Sequence, residues 1–499
     1  MKRLFILLLT VSLFFGLNGC KDFLNVTPIT KQSGNNYWNT QQDVEQFTRG
    51  LYSQLRDKVA IGSYFITVGD LRCSPWVQNR SDRDYIGYLA RNQIAQLIAS
   101  GNYDTYFGFS EISRWQSFYK IIQGANIMID KIEDVPDKNF SSTERKKYIA
   151  EGTFIRNLCY FFMVRMYGDV PYYTDAYHSG PTKRMPMVQV LKNCVADLKG
   201  VTENLPWTYK DPAKRAVRAM KGSALILMMH MNMWLAGFDE PNKQAYWNAT
   251  DSLGQHLIAD NNGAYELLPL DEYNTIFDGR SKEGLFEIPQ NLNYGESFGY
   301  STFSDLVLHY PNKTGITSYV YPIKDFLDEM FPPGEPDKRK DLWFNSDEMY
   351  KQDGSFQYLK YVNVFAREGE DVNPDDNMMI FRYPDAYLLR AEALNDLGKD
   401  NEARELLNVI RDRAGATPAS TRVEGSKLSD MIYWERCRAF LGEHMYYYTL
   451  VRTKKIVDPD YCFHPMSVAA FKEGAWTWPL DRSVLENNPE MKLNEYWVK

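Results

Sequence analysis

Apolar side chains return at three- and four-residue intervals through much of this chain, the spacing that lays them along one face of an α-helix. In residues 112–132 the anchors are Trp115, Tyr119, Ile122 and Ile129. The stretch 142–167 opens on Ser142, Thr143 and Glu144, which suit a helix start, and runs into Gly168-Asp169-Val170-Pro171. The same reading predicts helices over 41–57, 186–202, 214–235 and 243–260 in the first half, and over 385–397, 401–414, 427–440 and 445–457 towards the other end. In the later set, Ala391, Leu394, Gly398, Ala403, Leu407 and Ile410 have the spacing of a tetratricopeptide-type helix pair. Small residues let two helices approach closely, and Gly398 permits the sharp reversal between them.

The pattern changes over 265–372, which is rich in Gly, Pro, Asn and aromatic residues, with short strand-like pieces at 284–288 and 358–365. Residues 70–109 are similarly irregular. Long loops on a rigid helical scaffold are where binding sites usually lie. No Gly/Ser-rich or Pro-rich linker divides the chain. The expected organisation is therefore one mainly α domain over 20–499, preceded by a leader over 1–19. Its helical scaffold covers about 41–264 and 380–457, and irregular ligand-binding insertions cover about 70–110 and 265–379.

The leader is read from charge and length. Lys2 and Arg3 precede an apolar run from Leu4 to Leu17, followed by Asn18-Gly19-Cys20. A basic start, a short apolar stretch and small residues before a cut site describe an export signal. The run, about 14 residues against the roughly 20 a spanning helix needs, is too short for a transmembrane anchor. Cysteine at the first mature position matches a bacterial lipobox, so Cys20 is expected to carry a lipid that holds the protein at a membrane. The apolar stretch 224–238 contains His230 and Asn232 and reads as a buried helix instead.

Loss of Lys2 and Arg3 with the leader takes the formal charge from −7 to −9, which offers no broad basic surface for nucleic acid. The five further cysteines, at 73, 159, 194, 437 and 462, are widely spaced and form no C-x-x-C metal pattern. The six histidines are scattered, with no H-E-x-x-H. Gly295-Glu296-Ser297-Phe298-Gly299 fits G-x-S-x-G, but the polar 290–294 segment before it does not carry a strand into the turn. Asp371-Val372-Asn373-Pro374-Asp375 resembles the start of a calcium loop, yet Asp376 stands where glycine is required and Arg382 where glutamate is. No cofactor, metal or enzymatic activity is expected from this inventory.

Binding chemistry is better represented. Asp70, Arg72, Trp76 and Asn79 put charge, amide and indole within ten residues, with Tyr85 close behind. Tyr294, Phe298 and Tyr300 cluster in a Gly-rich turn, and Tyr319 and Tyr321 flank Val320. Rings that stack and side chains that hydrogen-bond suit a sugar or a peptide.

Several motifs, in this order, resemble the SusD/RagB family of Bacteroidota outer-membrane lipoproteins along nearly the whole chain. Cys20-Lys-Asp-Phe-Leu-Asn-Val-Thr-Pro28 is followed by Trp115-x3-Tyr119-x2-Ile122-x2-Ala125-Asn126 and by Phe154-Ile-Arg156 leading to Tyr167-Gly-Asp-Val-Pro171. Arg382-Tyr-Pro384 introduces Leu388-Leu-Arg-Ala-Glu-Ala-Leu394, and Arg411-x-Arg413-Ala414-Gly415 closes the hairpin. Glu435-Arg436 and Glu443 precede Leu450-x-Arg452, with Pro479 and Asn488-Pro489 in the tail. The resemblance implies a tetratricopeptide-like scaffold carrying ligand loops, an outer-membrane location facing the cell exterior, and a TonB-dependent SusC-like barrel as partner. It implies non-catalytic capture of an oligosaccharide, with an aromatic platform in the irregular half. A peptide-binding member of the same uptake machinery is the main alternative, ahead of a surface hydrolase built on Ser297 or a carboxylate pair and of a purely structural scaffold.

Overall fold

The computed structural model describes residues 37–60, 65–101, 103, 108–290, 298, 302–345, 347–362, 376–486 and 488–498. Cys20 and the leader, Tyr294, Tyr300, Ser297 and residues 371–375 lie outside the described residues.

Helix α1 (Gln41–Val59) begins at a capping box: Thr40 Oγ1 accepts the Asp43 amide at 3.2 Å and the Asp43 carboxylate accepts the Thr40 amide at 2.8 Å. It packs on α2 (Gln116–Lys131), which in turn lies against α3 (Ser142–Tyr167). The Ser141 hydroxyl caps α3 by accepting the Glu144 amide. From Ala150 to Tyr167 every residue of α3 is buried, so it is a central helix enclosed on all sides. Helix α4 (Met187–Val201) packs on α3, and α5 (Lys221–Phe238) is buried on every face as far as Ala236.

Beyond α5, α6 (Lys243–Ala259), α7 (Tyr383–Asp396), α8 (Asp400–Arg413) and α9 (Gly425–Ala439) stack in succession. The predicted helix pair is the α7–α8 hairpin. Ala391, Leu394, Ala403, Leu407 and Ile410 meet in its interior, and Gly398 takes φ +74° at the turn. Helix α10 (Tyr446–Arg452) follows, and short helical turns at Val468–Lys472, Ser483–Glu486 and Glu495–Val498 complete this half.

Among the described residues, four short strands form two antiparallel ribbons. Strand β1 (Trp76–Gln78) pairs with β3 (Val320–Pro322), and β2 (Gly284–Ile288) pairs with β4 (Met378–Arg382). Strand β4 feeds α7 directly, with Arg382 at the helix cap. The buried core runs continuously from Val44 to Val484, so the fold is mainly α with the ribbons packed into the same core.

Four expectations need correction. The helix expected from 214 starts at Lys221, because Ala216 takes φ +59° and Arg218 turns inward to Glu45 and Glu151. The helix expected over 445–457 stops at Arg452, where Lys454 takes φ +60°. The strand expected over 358–365 is reduced, within the described residues, to a single bridge between Tyr358 and Phe344. The 70–110 insertion also holds more helix than its irregular pattern suggested, at Asp84–Ala90 and Ile94–Ala99.

The side chains of the motifs that carry the family resemblance are spent on the scaffold. Arg382 donates to Glu283 at 2.5 Å and to Glu443 at 2.6 and 2.7 Å, Lys360 pairs with Glu443, and Arg413 reaches Glu283 at 2.5 Å. Glu435 receives Arg339 at 2.8 Å and Arg411 and Arg438 at 3.1 Å. Asp385 pairs with Arg436 and lies 2.6 Å from His230. In the first half Arg156 joins Asn126 at 2.8 Å to Asp197 at 2.6 Å. Most of these groups are buried; the Arg156 cluster ties α3 to α2 and α4, and the others tie α5, α7, α8, α9 and β4 together.

Candidate ligand-binding surface

The β1–β3 ribbon sets out two faces by simple alternation, since successive side chains of a strand point to opposite sides. Val320 and Trp76 face inward. Trp76 is 4% exposed and packs edge-on against Phe303, with ring centres 5.1 Å apart. Tyr319 and Tyr321, flanking Val320, are half-buried. Asn79 continues the ribbon, its amide donating to the Tyr319 carbonyl at 2.8 Å and its side chain to the Ser318 carbonyl at 3.0 Å.

Cations gather around Tyr319. Lys313 lies 4.2 Å, Arg83 4.4 Å and Arg80 5.0 Å from its ring centre. Each has an acidic neighbour or partner nearby: Lys313 pairs with buried Asp305 at 2.5 Å, and Arg80 with Asp82 at 2.9 Å. The ring is therefore held in place without leaving a strong net charge, and cation–π contacts of this kind contribute about 0.5–1 kcal/mol at partly exposed sites.

The loop leading into β3 is tightly braced. Tyr310–Pro311 is a cis peptide, and the Tyr310 amide donates to the Gly315 carbonyl at 2.7 Å. His309 contacts the Tyr310 carbonyl through Nδ1 at 2.8 Å and the Ser355 carbonyl through Nε2 at 3.1 Å. The Ser318 amide donates to the Gly354 carbonyl at 2.8 Å. Gly354 has no room for a side chain, because a Cβ there would lie 2.5 Å from Asn79 Nδ2 and 2.6 Å from Thr317 Cβ. This bracing presents Tyr310, 56% exposed, and Ile316, 83% exposed, to solvent, with Tyr350 (40% exposed) on the adjoining segment.

The residues singled out in the sequence thus separate into three groups. Asn79, Tyr319 and Tyr321 come together on the ribbon. Asp70, Arg72, Trp76 and Tyr85 are interior, which corrects their expected role as direct ligand contacts. Arg72 donates to the carbonyls of Ala475, Trp476 and Thr477 and to Asn92, tying this region to the C-terminal segment. Tyr85 is fully buried against Phe109. Asp70 accepts the His444 amide at 2.8 Å, and burial pushes its carboxyl up to about 8. Tyr294, Tyr300 and Cys20 form the third group, outside the described residues.

Sequence reasoning passed over Tyr310, Ile316 and Tyr350. The available signal was the turn chemistry of Pro311-Asn312-Lys313-Thr314-Gly315, which leaves a large apolar residue on each side with nothing to bury it.

Three hollows among the described residues bear on this surface. A cavity of about 30 Å³, lined by Asp70, Thr302, Phe303, Asn377 and His444 among others, lies beneath the loops. It is far below the roughly 300–1,000 Å³ of small-molecule pockets. Two open clefts of about 730 and 540 Å³ lie elsewhere, one beside Phe238, Phe471 and Trp476 and the other beside Pro332, Pro418 and Trp434. Among the described residues no group of three or more His, Cys, Asp or Glu is arranged to hold a metal ion, and no helix is long and apolar enough to cross a membrane.

Comparison with known proteins agrees with this architecture from both ends of the chain. Residues 345–497 match the SusD family model, and residues 22–226 match a second family model described as starch-binding, associating with outer membrane. A SusD-like protein from Formosa agariphila is 25% identical across 96% of each chain. A laminarin binding SusD-like protein shares the fold, with a TM-score of 0.69 at 19% identity over 92% of this chain and 99% of its own. The crystal structure of a SusD homolog from Bacteroides thetaiotaomicron superposes with a TM-score of 0.83 and 40% identity, covering 91% of this chain and 98% of that one. Identity at that level, sustained over 91% of the chain, means that the chain belongs to the SusD family.

Proposed function

We propose that this protein is anchored by a lipid on Cys20 at the outer face of the outer membrane, binds an oligosaccharide there, and delivers it to a TonB-dependent SusC-like barrel. The observation that carries the ligand class is the set of tyrosines held on a braced, solvent-facing ribbon and loop: Tyr319, Tyr321 and Tyr310, beside the amide of Asn79. Flat rings meet the apolar faces of sugar rings, and a fixed amide supplies directional hydrogen bonds to hydroxyls. Rigid presentation matters because ordering flexible side chains on binding costs about 0.5–1.5 kcal/mol each. Family membership and the leader ending at Cys20 support the membrane location and the barrel partner.

The capture is non-catalytic. His309, one of the histidines downstream of Ser297, has its ring nitrogens 2.8 and 3.1 Å from the carbonyls of Tyr310 and Ser355, a bracing role within the loop.

Calorimetry of the mature chain against a glycan panel and a peptide pool tests the ligand class. Binding to at least one glycan, with no turnover, is expected. Binding of peptides alone would replace the ligand class, and hydrolysis lost in Ser297→Ala would replace binding with catalysis. Metabolic labelling with a radioactive fatty acid tests the anchor: the wild-type protein should take up label, and Cys20→Ala should not.

A further inference from the structure

Cys73 and Cys462 are 389 positions apart in sequence, yet they meet in the core. Both are fully buried, and Cys462 Sγ lies 3.7 Å from the Cys73 carbonyl oxygen. Cys73 sits three residues before β1 and takes φ +51°, a left-handed conformation that non-glycine residues rarely adopt. Its backbone is fixed there by the bond from its amide to the Leu89 carbonyl at 3.1 Å, and its neighbour Arg72 is tied to the carbonyls of 475–477. The junction therefore joins the root of the ligand ribbon to the C-terminal segment. All five cysteines outside the leader junction are free thiols in this structure.

We propose that Cys73 and Cys462 are a modification site, oxidised to a disulfide in the exported protein, so that the root of β1 is covalently pinned to the C-terminal segment. The compartment rests on the export reading above, since disulfides persist outside the reducing cytosol. The oxidant is a disulfide of low molecular weight or of the thioredoxin-like thiol-oxidase class. One thiolate attacks that disulfide, forming a mixed disulfide and expelling one thiol. The second cysteine then attacks the mixed disulfide, forming the Cys73–Cys462 bond and expelling the other thiol. Two protons and two electrons pass from the pair to the oxidant. Either thiol can make the first attack, reached during folding or by local opening.

The test uses the full mature chain, refolded with glutathione disulfide, denatured without reductant, alkylated and mapped by mass spectrometry. Expected is a peptide pair linking Cys73 to Cys462, with the chain lighter by about 2 Da and only Cys159, Cys194 and Cys437 alkylated. Reductant should lower Tm by roughly 5 °C in the wild type and in Cys159→Ser, and should leave Cys462→Ser unchanged. Alkylation of all five thiols after oxidation, or linkage through Cys437 instead, would overturn the proposal. Thiol mapping makes no use of ligand, so it stands or fails separately from glycan binding.

Discussion

The Asp70 carboxyl is enclosed by protein 2.8 Å from the His444 amide, and burial raises its pKa from 3.8 to about 8. In that interval the unfolded chain gives up the proton while the folded chain keeps it, so this group withdraws stability as pH rises from about 4 to about 8. Glu435 behaves oppositely. Burial would raise its carboxyl, but Arg339 and Arg438 outweigh it and hold the group down to about 2. Its contribution is present above pH 4.5 and is lost as pH falls towards 2. Urea unfolding at pH 5 and pH 8 should therefore show Asp70→Asn losing less stability between the two than the wild type does. An unchanged pH dependence would mean that Asp70 is not held protonated. Neither role was legible locally. Asp70 and Arg72 look like surface residues in sequence because their partners, His444 and the carbonyls of 475–477, lie several hundred positions away.

Elements with their own start and stop signals could be read directly. The 142–167 helix was, because Ser141 and Glu144 supply its cap, and the α7–α8 hairpin was, because small residues and Gly398 mark it. The start of α5 was not, since its fully buried sequence has no polar face to set a period and the break at Ala216 depends on where Arg218 finds Glu151. The β1–β3 ribbon was half legible. Tyr319 and Tyr321 stand out in the sequence on either side of Val320, whereas the exposure of Tyr310 and Ile316 depends on bracing by His309, Ser355 and Gly354, which only the folded loops bring together. That bracing predicts the effect of Gly354→Ala. A Cβ forced within 2.6 Å of Asn79 and Thr317 should loosen residues 309–318. Amide hydrogen exchange should rise there while the global unfolding midpoint moves little; exchange that stays as slow as in the wild type would show that the loop does not depend on this contact.

At the scale of the whole molecule, buried ion pairs lock β4, α7 and α9 to one another and to the segments around Glu283, Lys360 and Glu443. Glu443 accepts Arg382 at 2.6 and 2.7 Å and also pairs with Lys360. Removing one partner leaves buried charges uncompensated, which costs about 3–5 kcal/mol. Glu443→Ala should lower the urea midpoint accordingly, and a shift of under about 1 kcal/mol would mean that the network is dispensable. The family motifs thus report the scaffold, and the tyrosines proposed to meet a sugar lie outside them, which is why the fold could be recognised more firmly than the ligand. Calorimetry of the mature chain with a bound glycan, comparing wild type with the Tyr319→Ala, Tyr321→Ala and Tyr310→Ala variants, addresses that surface directly. Each ring contributing about 1.4 kcal/mol predicts roughly tenfold weaker binding per substitution at an unchanged unfolding midpoint. Wild-type affinity in all three variants would contradict the placement of the sugar on this tyrosine face.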